Sequence, residues 1–139
     1  MSDNSYPLHW PDGWPRAKSP AKSQFRTSMA AALNNVEKSI AAFAKDSKEK
    51  VSDVVISSNV TLGKQRPDDP GVAIYFSWSG IATCIAVDRY LKVEENLQAI
   101  HHCIEAERVK LRRIDRGITG RTGTNDQNIN RRTMRRITM

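Results

Sequence analysis

Apolar positions along the chain follow two different periods, and the switch between them predicts the elements. Around residues 72–87 the period is that of a strand. Two runs rich in β-branched and aromatic residues, 72–78 and 81–87, flank Ser79-Gly80, a pair suited to a two-residue hairpin turn in which glycine supplies the positive φ. With that pair as the loop, Val72 faces Val87, Ile74 faces Ile85 and Phe76 faces Thr83, which makes one side of the hairpin largely branched and apolar. The other side sets Ala73, Tyr75 and Ser77 against Ala86, Cys84 and Ala82, a smaller and half-exposed surface. One packed side predicts helices laid against it.

Helical spacing occurs on both flanks. Phe25, Met29, Ala32, Leu33, Val36, Ile40 and Phe43 recur every three or four residues and predict a helix of about five turns, with Ser23 as N-cap and an end near Lys45. Val93, Leu97, Ile100, Ile104 and Leu111 repeat the pattern after the hairpin. There Asp88 is the expected N-cap, and Glu94 and Glu95 complement the positive end of the helix. Residues 53–60 read as a first strand, and 61–70, with Gly63, Pro67 and Pro70, as an exposed loop. The expected fold is therefore an α+β domain over residues 23–115 in the order α-β-β-β-α, a three-stranded antiparallel sheet with two helices packed on one face.

The two ends differ from this middle. Residues 1–22 form a Pro- and Trp-rich strap and linker in which Tyr6, Trp10 and Trp14 recur every four residues among Pro7, Pro11 and Pro15. Proline at that density forbids a helix, so an extended strap with a turn at Asp12-Gly13 is expected, its Trp rings laid over the core. The alternative role for Tyr6, Trp10 and Trp14 is a partner-docking patch. Beyond Gly117 the composition turns to Gly, Thr, Asn, Gln and Arg, and residues 116–139 read as a basic tail, disordered in isolation.

Charge sharpens this division. The net charge is +7, yet residues 108–139 hold ten Lys or Arg and two acids, a balance of +8, while residues 1–107 come to −1. Any attraction to a polyanion must therefore come from the C-terminal segment, where Arg112, Arg113, Arg116, Arg121, Arg131, Arg132, Arg135 and Arg136 are the candidate phosphate ligands. There is no apolar run of about 18 residues, so no membrane span is expected, and a soluble cytoplasmic protein is. Cys84 and Cys103 read as reduced, buried thiols.

Catalytic patterns are weak. Asp68, Asp69 and Asp88 fall at strand ends, where metal-dependent nucleases place their carboxylates, but Tyr90 stands where the lysine of an Asp-x-Lys motif would. Cys84, His101, His102 and Cys103 have the residue types of a zinc site, yet His101 and Cys103 point about 200° apart on a helix. No Gly-x-Ser-x-Gly elbow or phosphate-binding glycine loop is present. Neither a catalytic residue, a metal nor a cofactor is expected.

The segments Tyr6-Pro-Leu-His-Trp-Pro-Asp-Gly-Trp-Pro-Arg16, Ser57-Ser-Asn-Val-Thr-Leu-Gly63, Asp69-Pro-Gly-Val-Ala-Ile-Tyr-Phe76, Ala86-Val-Asp-Arg-Tyr90 and Glu95-Asn-Leu-Gln-Ala-Ile-His-His-Cys-Ile-Glu-Ala106 resemble a group of phage, prophage and plasmid proteins, many of them labelled J-domain-containing. The resemblance covers about residues 6–107. Such proteins often continue into a J domain after this point. Here there is no His-Pro-Asp tripeptide and the Arg-rich tail takes that place, so the resemblance implies a mobile-element setting without implying chaperone stimulation. Two functions are expected from these readings together. The first is a non-enzymatic accessory protein that binds the phosphate backbone of nucleic acid through its basic tail; the alternative is a protein-interaction adaptor using the strap and the sheet face, with a cryptic nuclease a distant third.

Overall fold

The computed structural model describes residues 8–117 and 135–137. It contains α1 (Met29–Ser47), β1 (Val51–Ser58), β2 (Val72–Trp78), β3 (Ile81–Val87), α2 (Val93–Gly117) and a short β4 (Arg135–Ile137). The first three strands form an antiparallel sheet in sequence order, and both helices pack on one face of it. The expected α-β-β-β-α architecture is the one observed.

The hairpin has the register that the apolar alternation predicts, with Val72 opposite Val87, Ile74 opposite Ile85 and Phe76 opposite Thr83. Both turn residues take positive φ, 54° at Ser79 and 79° at Gly80, so the turn asks of Ser79 a conformation that only Gly80 adopts without strain. Its packed side enters a continuous core with Val36, Ile40 and Phe43 of α1 and Val93, Leu97, Ile100 and Ile104 of α2. Burying those branched and aromatic side chains, each worth about 1.5–3 kcal/mol, is what orients the two helices.

Several boundaries differ from the expected ones for identifiable reasons. The first helix begins at Met29, because Ser28 is extended and its hydroxyl accepts from the Ala31 backbone N–H at 3.1 Å. Ser23 instead closes a local turn by accepting from the Phe25 N–H. At the other end Lys48 takes φ 58°, its N–H bonding back to the Lys45 carbonyl, and carries the helix to Ser47 rather than Lys45. The first strand runs two residues earlier than 53–60 and is interrupted by a bulge at Asp53, whose φ is 57°. Helix α2 starts at Val93 without Asp88; Glu95 reaches back to accept from the Lys92 N–H, the reciprocal half of a capping box.

The strap lies on the other side of the sheet from the helices, not over their core. Leu8, fully buried, plugs the small-residue face made by Ala73 and Cys84, with Trp10, Tyr75 and Ala86 around it. Of the surface expected to be half exposed, Ala73 and Cys84 are thus covered, while Tyr75, Ser77 and Ala86 stay partly exposed and Ala82 is exposed. Polar bonds lash the strap along its length: the Leu8 N–H donates to Asn59 Oδ1 at 3.1 Å, the His9 N–H to Ser57 Oγ at 2.7 Å, and the Tyr75 hydroxyl to the His9 carbonyl. The Asp12-Gly13 turn is present, with Gly13 at φ 80°.

At the C-terminal side, α2 continues to Gly117 and Arg135–Ile137 returns as a parallel strand beside β3, Arg136 opposite Cys84 and Ile137 opposite Ile85. Those three residues of the basic tail are therefore strand, not disordered chain. Residues 118–134, including Arg121, Arg131 and Arg132, lie outside the described residues, as does Tyr6.

Candidate nucleic-acid interface

The basic segment starts on the last turns of α2, and the structure divides its charges into two sets. Arg108, whose side chain is 20% exposed, donates from Nε to Asp46 of α1 at 2.7 Å and from Nη1 to both oxygens of Glu105 at 2.9 Å. The hydrogen bond to Asp46, then that to Glu105, raises the Arg108 pKa. Lys110 pairs with the buried Glu107 at 3.1 Å. Arg108 ties α2 to α1, Lys110 pairs within α2, and both neutralise carboxylates of the folded body. Arg112, Arg113 and Arg116 follow on the same helix, and Arg135 and Arg136 sit in β4, so the backbone holds both ends of the basic segment against the domain. The sequence counts all of these arginines alike. Only the packing of α1 beside α2 shows that Arg108 already has partners.

The aromatic strap residues have structural tasks. Trp10 is half-buried, donates from Nε1 to the Trp14 carbonyl at 3.1 Å and carries the Arg16 guanidinium 4.5 Å above its ring. Trp14 is half-buried and its N–H bonds to the Pro11 carbonyl, which fixes the turn. Trp10 and Trp14 thus make contacts within the strap, while Tyr6, the third residue of the alternative docking patch, lies outside the described residues.

Arg16 is the residue that sequence reasoning passed over. Its Nε donates to Asp88 Oδ2 at 2.8 Å and its Nη2 to Asp69 Oδ1 at 2.5 Å, while the Ala17 and Gly71 N–H groups complete the two carboxylates. Burial works to lower the Arg16 pKa, but the hydrogen bonds to Asp88 and Asp69 and their charges outweigh it, and the net shift is upward. Gly71 leaves the space that this cluster needs: a Cβ there would come within 3.1 Å of the guanidinium and 3.2 Å of Leu8. The fold does bring Asp69 and Asp88 together, as the nuclease pattern requires, yet an arginine stands between them where a metal would be held. Asp68 points to solvent beside Lys64. The one cue in the sequence is that an arginine follows the strap while two aspartates flank the hairpin.

The thiols and imidazoles are similarly dispersed. Cys84 is buried under the strap and its pKa is pushed up to about 12 by burial; Cys103 is in the helical core, pushed up to about 11 by burial and by Glu107. The sheet separates them. His101 Nδ1 donates to the Asn35 carbonyl at 3.2 Å, and His102 stacks on Phe25. Among the described residues no group of three or more His, Cys, Asp or Glu side chains is placed to hold a metal, and no helix is long and apolar enough to cross a membrane. Comparison of the chain with protein-family models, curated proteins and solved structures finds no match.

Proposed function

We propose that the protein is an accessory nucleic-acid-binding protein that contacts the phosphate backbone through Arg112, Arg113, Arg116, Arg121, Arg131, Arg132, Arg135 and Arg136. The observation that carries this reading is the segregation of charge: residues 1–107 balance at −1, Arg108 and Lys110 are paired with carboxylates of that body, and the segment that follows, residues 111–139, holds eight Arg and two Asp, a balance of +6. Arginine offers bidentate contacts to phosphate, and a cluster of this size gives affinity by releasing condensed counterions. The adaptor reading is less well supported, since Trp10 and Trp14 are engaged within the strap. The resemblance to phage and plasmid proteins supports a role among mobile-element functions.

Titration of fluorescent single and double strands at several salt concentrations tests the proposal. Wild-type protein is expected to bind both, more weakly as salt rises. Replacing Arg121, Arg131 and Arg132 by Gln should reduce the slope of log affinity against log salt by roughly 2 to 3, about 0.7 to 0.9 per phosphate contact. Equal binding by the two proteins at every salt concentration would refute it.

A further inference from the structure

A second feature on the folded body extends this reading from phosphates to bases. Between the lead into α1 and the middle of α2 lies a groove of about 680 Å³, lined by Phe25, Arg26, Ala31, Asn35 and Gln98 among others. That volume is in the range of small-ligand sites. Phe25 is half-buried; its ring stacks on the exposed His102 with centroids 5.1 Å apart and 29° between planes, and meets Tyr90 edge-on at 5.5 Å. Three aromatic rings are thus gathered at one end of the groove. Burial and the neighbouring His101 lower the His102 pKa, although Glu105 opposes them, which keeps the imidazole an uncharged stacking partner at neutral pH.

Beside Phe25, Asn35 and Gln98 form an amide pair across the two helices: Asn35 Nδ2 donates to Gln98 Oε1 at 3.1 Å. A primary amide has two donor hydrogens and an acceptor oxygen. With that bond made, and with Gln98 Nε2 also 3.5 Å from His102 Nε2, the pair retains an acceptor on Asn35 next to a donor on Gln98. This alternation is the one that a base edge presents. Around the rings are cations. Lys22 and Arg89 flank the bridge that Ala21 makes with Tyr90, Arg26 lines the groove and Lys92 precedes α2; all four are exposed, and among the described residues none is in an ion pair.

We infer that this groove takes an unpaired base of a single-stranded nucleic acid, stacked on Phe25 and met at its edge by Asn35 and Gln98, with the adjoining phosphates held by Arg26 and Lys22. A duplex cannot offer such a base without unstacking it, so the groove gives the protein a preference for single strands that an arginine-rich tail does not supply. The inference rests on the nucleic-acid reading of the tail and adds strand selectivity to it.

The test measures full-length variants against a fluorescent single strand and a duplex of the same length. Phe25→Ala is expected to weaken single-strand binding by roughly 5- to 100-fold, the range of one lost stacking contact, and to change duplex binding by less than about twofold. Phe25→Tyr should bind like wild type, because the ring is kept. Arg26→Gln, at an exposed position, should weaken single-strand binding severalfold and lower its salt slope by about 0.7. Photocrosslinking to oligothymidine and to oligouridine, followed by peptide mapping, should place the adduct on the peptides holding Phe25 or His102, and comparison of the two shows whether DNA or RNA is preferred. If Phe25→Ala does not fold, Phe25→Tyr, Arg26→Gln and the crosslink position decide. Equal losses on both strands, or a crosslink confined to residues 112–139, would overturn the groove and leave the tail proposal standing; absence of binding to either strand by wild-type protein at low salt would overturn both.

Discussion

Arg16 shows how much one side chain can organise. It joins the strap to the segment before β2, through Asp69, and to the end of β3, through Asp88, with its guanidinium 4.5 Å above the Trp10 ring. Removing it leaves two part-buried carboxylates supported by one backbone N–H each. Arg16→Ala is therefore expected to lower stability by about 2 kcal/mol in urea denaturation, between the small value of an exposed pair and the larger one of a buried pair. Arg16→Lys should recover less than half, because a point-like ammonium cannot bridge two carboxylates and stack at once. Full recovery by lysine would show that net charge alone matters at this position. A pH prediction follows from His102. Its pKa is lowered in the folded protein, by burial first and by His101 second, so the folded state binds its proton less readily than the unfolded chain. The contribution is present above the unfolded value near 6.5 and is lost as pH falls through the lowered folded value. Thermal scans from pH 7.5 to 5 should accordingly show a smaller drop in Tm for His102→Gln than for wild type; parallel curves would assign the acid sensitivity elsewhere.

At the scale of elements, the turn of the β2–β3 hairpin is open to a direct test. Ser79 holds φ 54° in a position that asparagine occupies more readily, so Ser79→Asn should stabilise the protein by roughly 0.5 kcal/mol, while Gly80→Ala, at φ 79°, should cost about 1 kcal/mol. Calorimetric melting of both variants checks the pair, and a neutral Gly80→Ala would contradict the turn geometry. This hairpin was also the most legible part of the chain, because strict alternation leaves one register that buries Ile74 with Ile85. The helical stripes were legible for the same reason. What could not be read was whatever depends on pairing distant residues. Asp88 has the look of an N-cap locally, and only the arrival of Arg16 from 72 positions away turns it into an anchor. Likewise the strap showed its aromatics, whereas Leu8, a single apolar residue without a periodic partner, is the one that fills the face of Ala73 and Cys84. Of the candidate interface, the charge count was legible but not the division that Asp46, Glu105 and Glu107 impose on it, nor the rings and amides that meet across α1 and α2.

For the whole molecule, the separation of a near-neutral body from a cationic segment leads to a last prediction, the deletion of residues 118–139. The deletion removes five arginines and Asp126, a change of −4 that takes the net charge from +7 to +3. It also removes β4 and so uncovers the β3 edge. Among the residues whose side chains are described, the buried helix–sheet core runs from Ala32 to Ile104, with Leu111 packed against it, and all of these precede the deletion. Among the described residues three positions of strand pairing are lost, so far-UV circular dichroism should keep the helical signal of α1 and α2 and Tm should fall by a few degrees at most. Affinity for nucleic acid at low salt should fall by at least tenfold, and the salt dependence should become shallower, with Arg112, Arg113 and Arg116 retaining a residual electrostatic contact. Because the groove at Phe25 lies on the body, what binding remains should favour single strands more strongly than wild-type binding does. Loss of the folded state on deletion would make β4 a structural strand rather than the anchored end of an interface. Unchanged affinity with the fold intact would move the phosphate contacts from the tail to Lys22, Arg26 and Arg89 on the body.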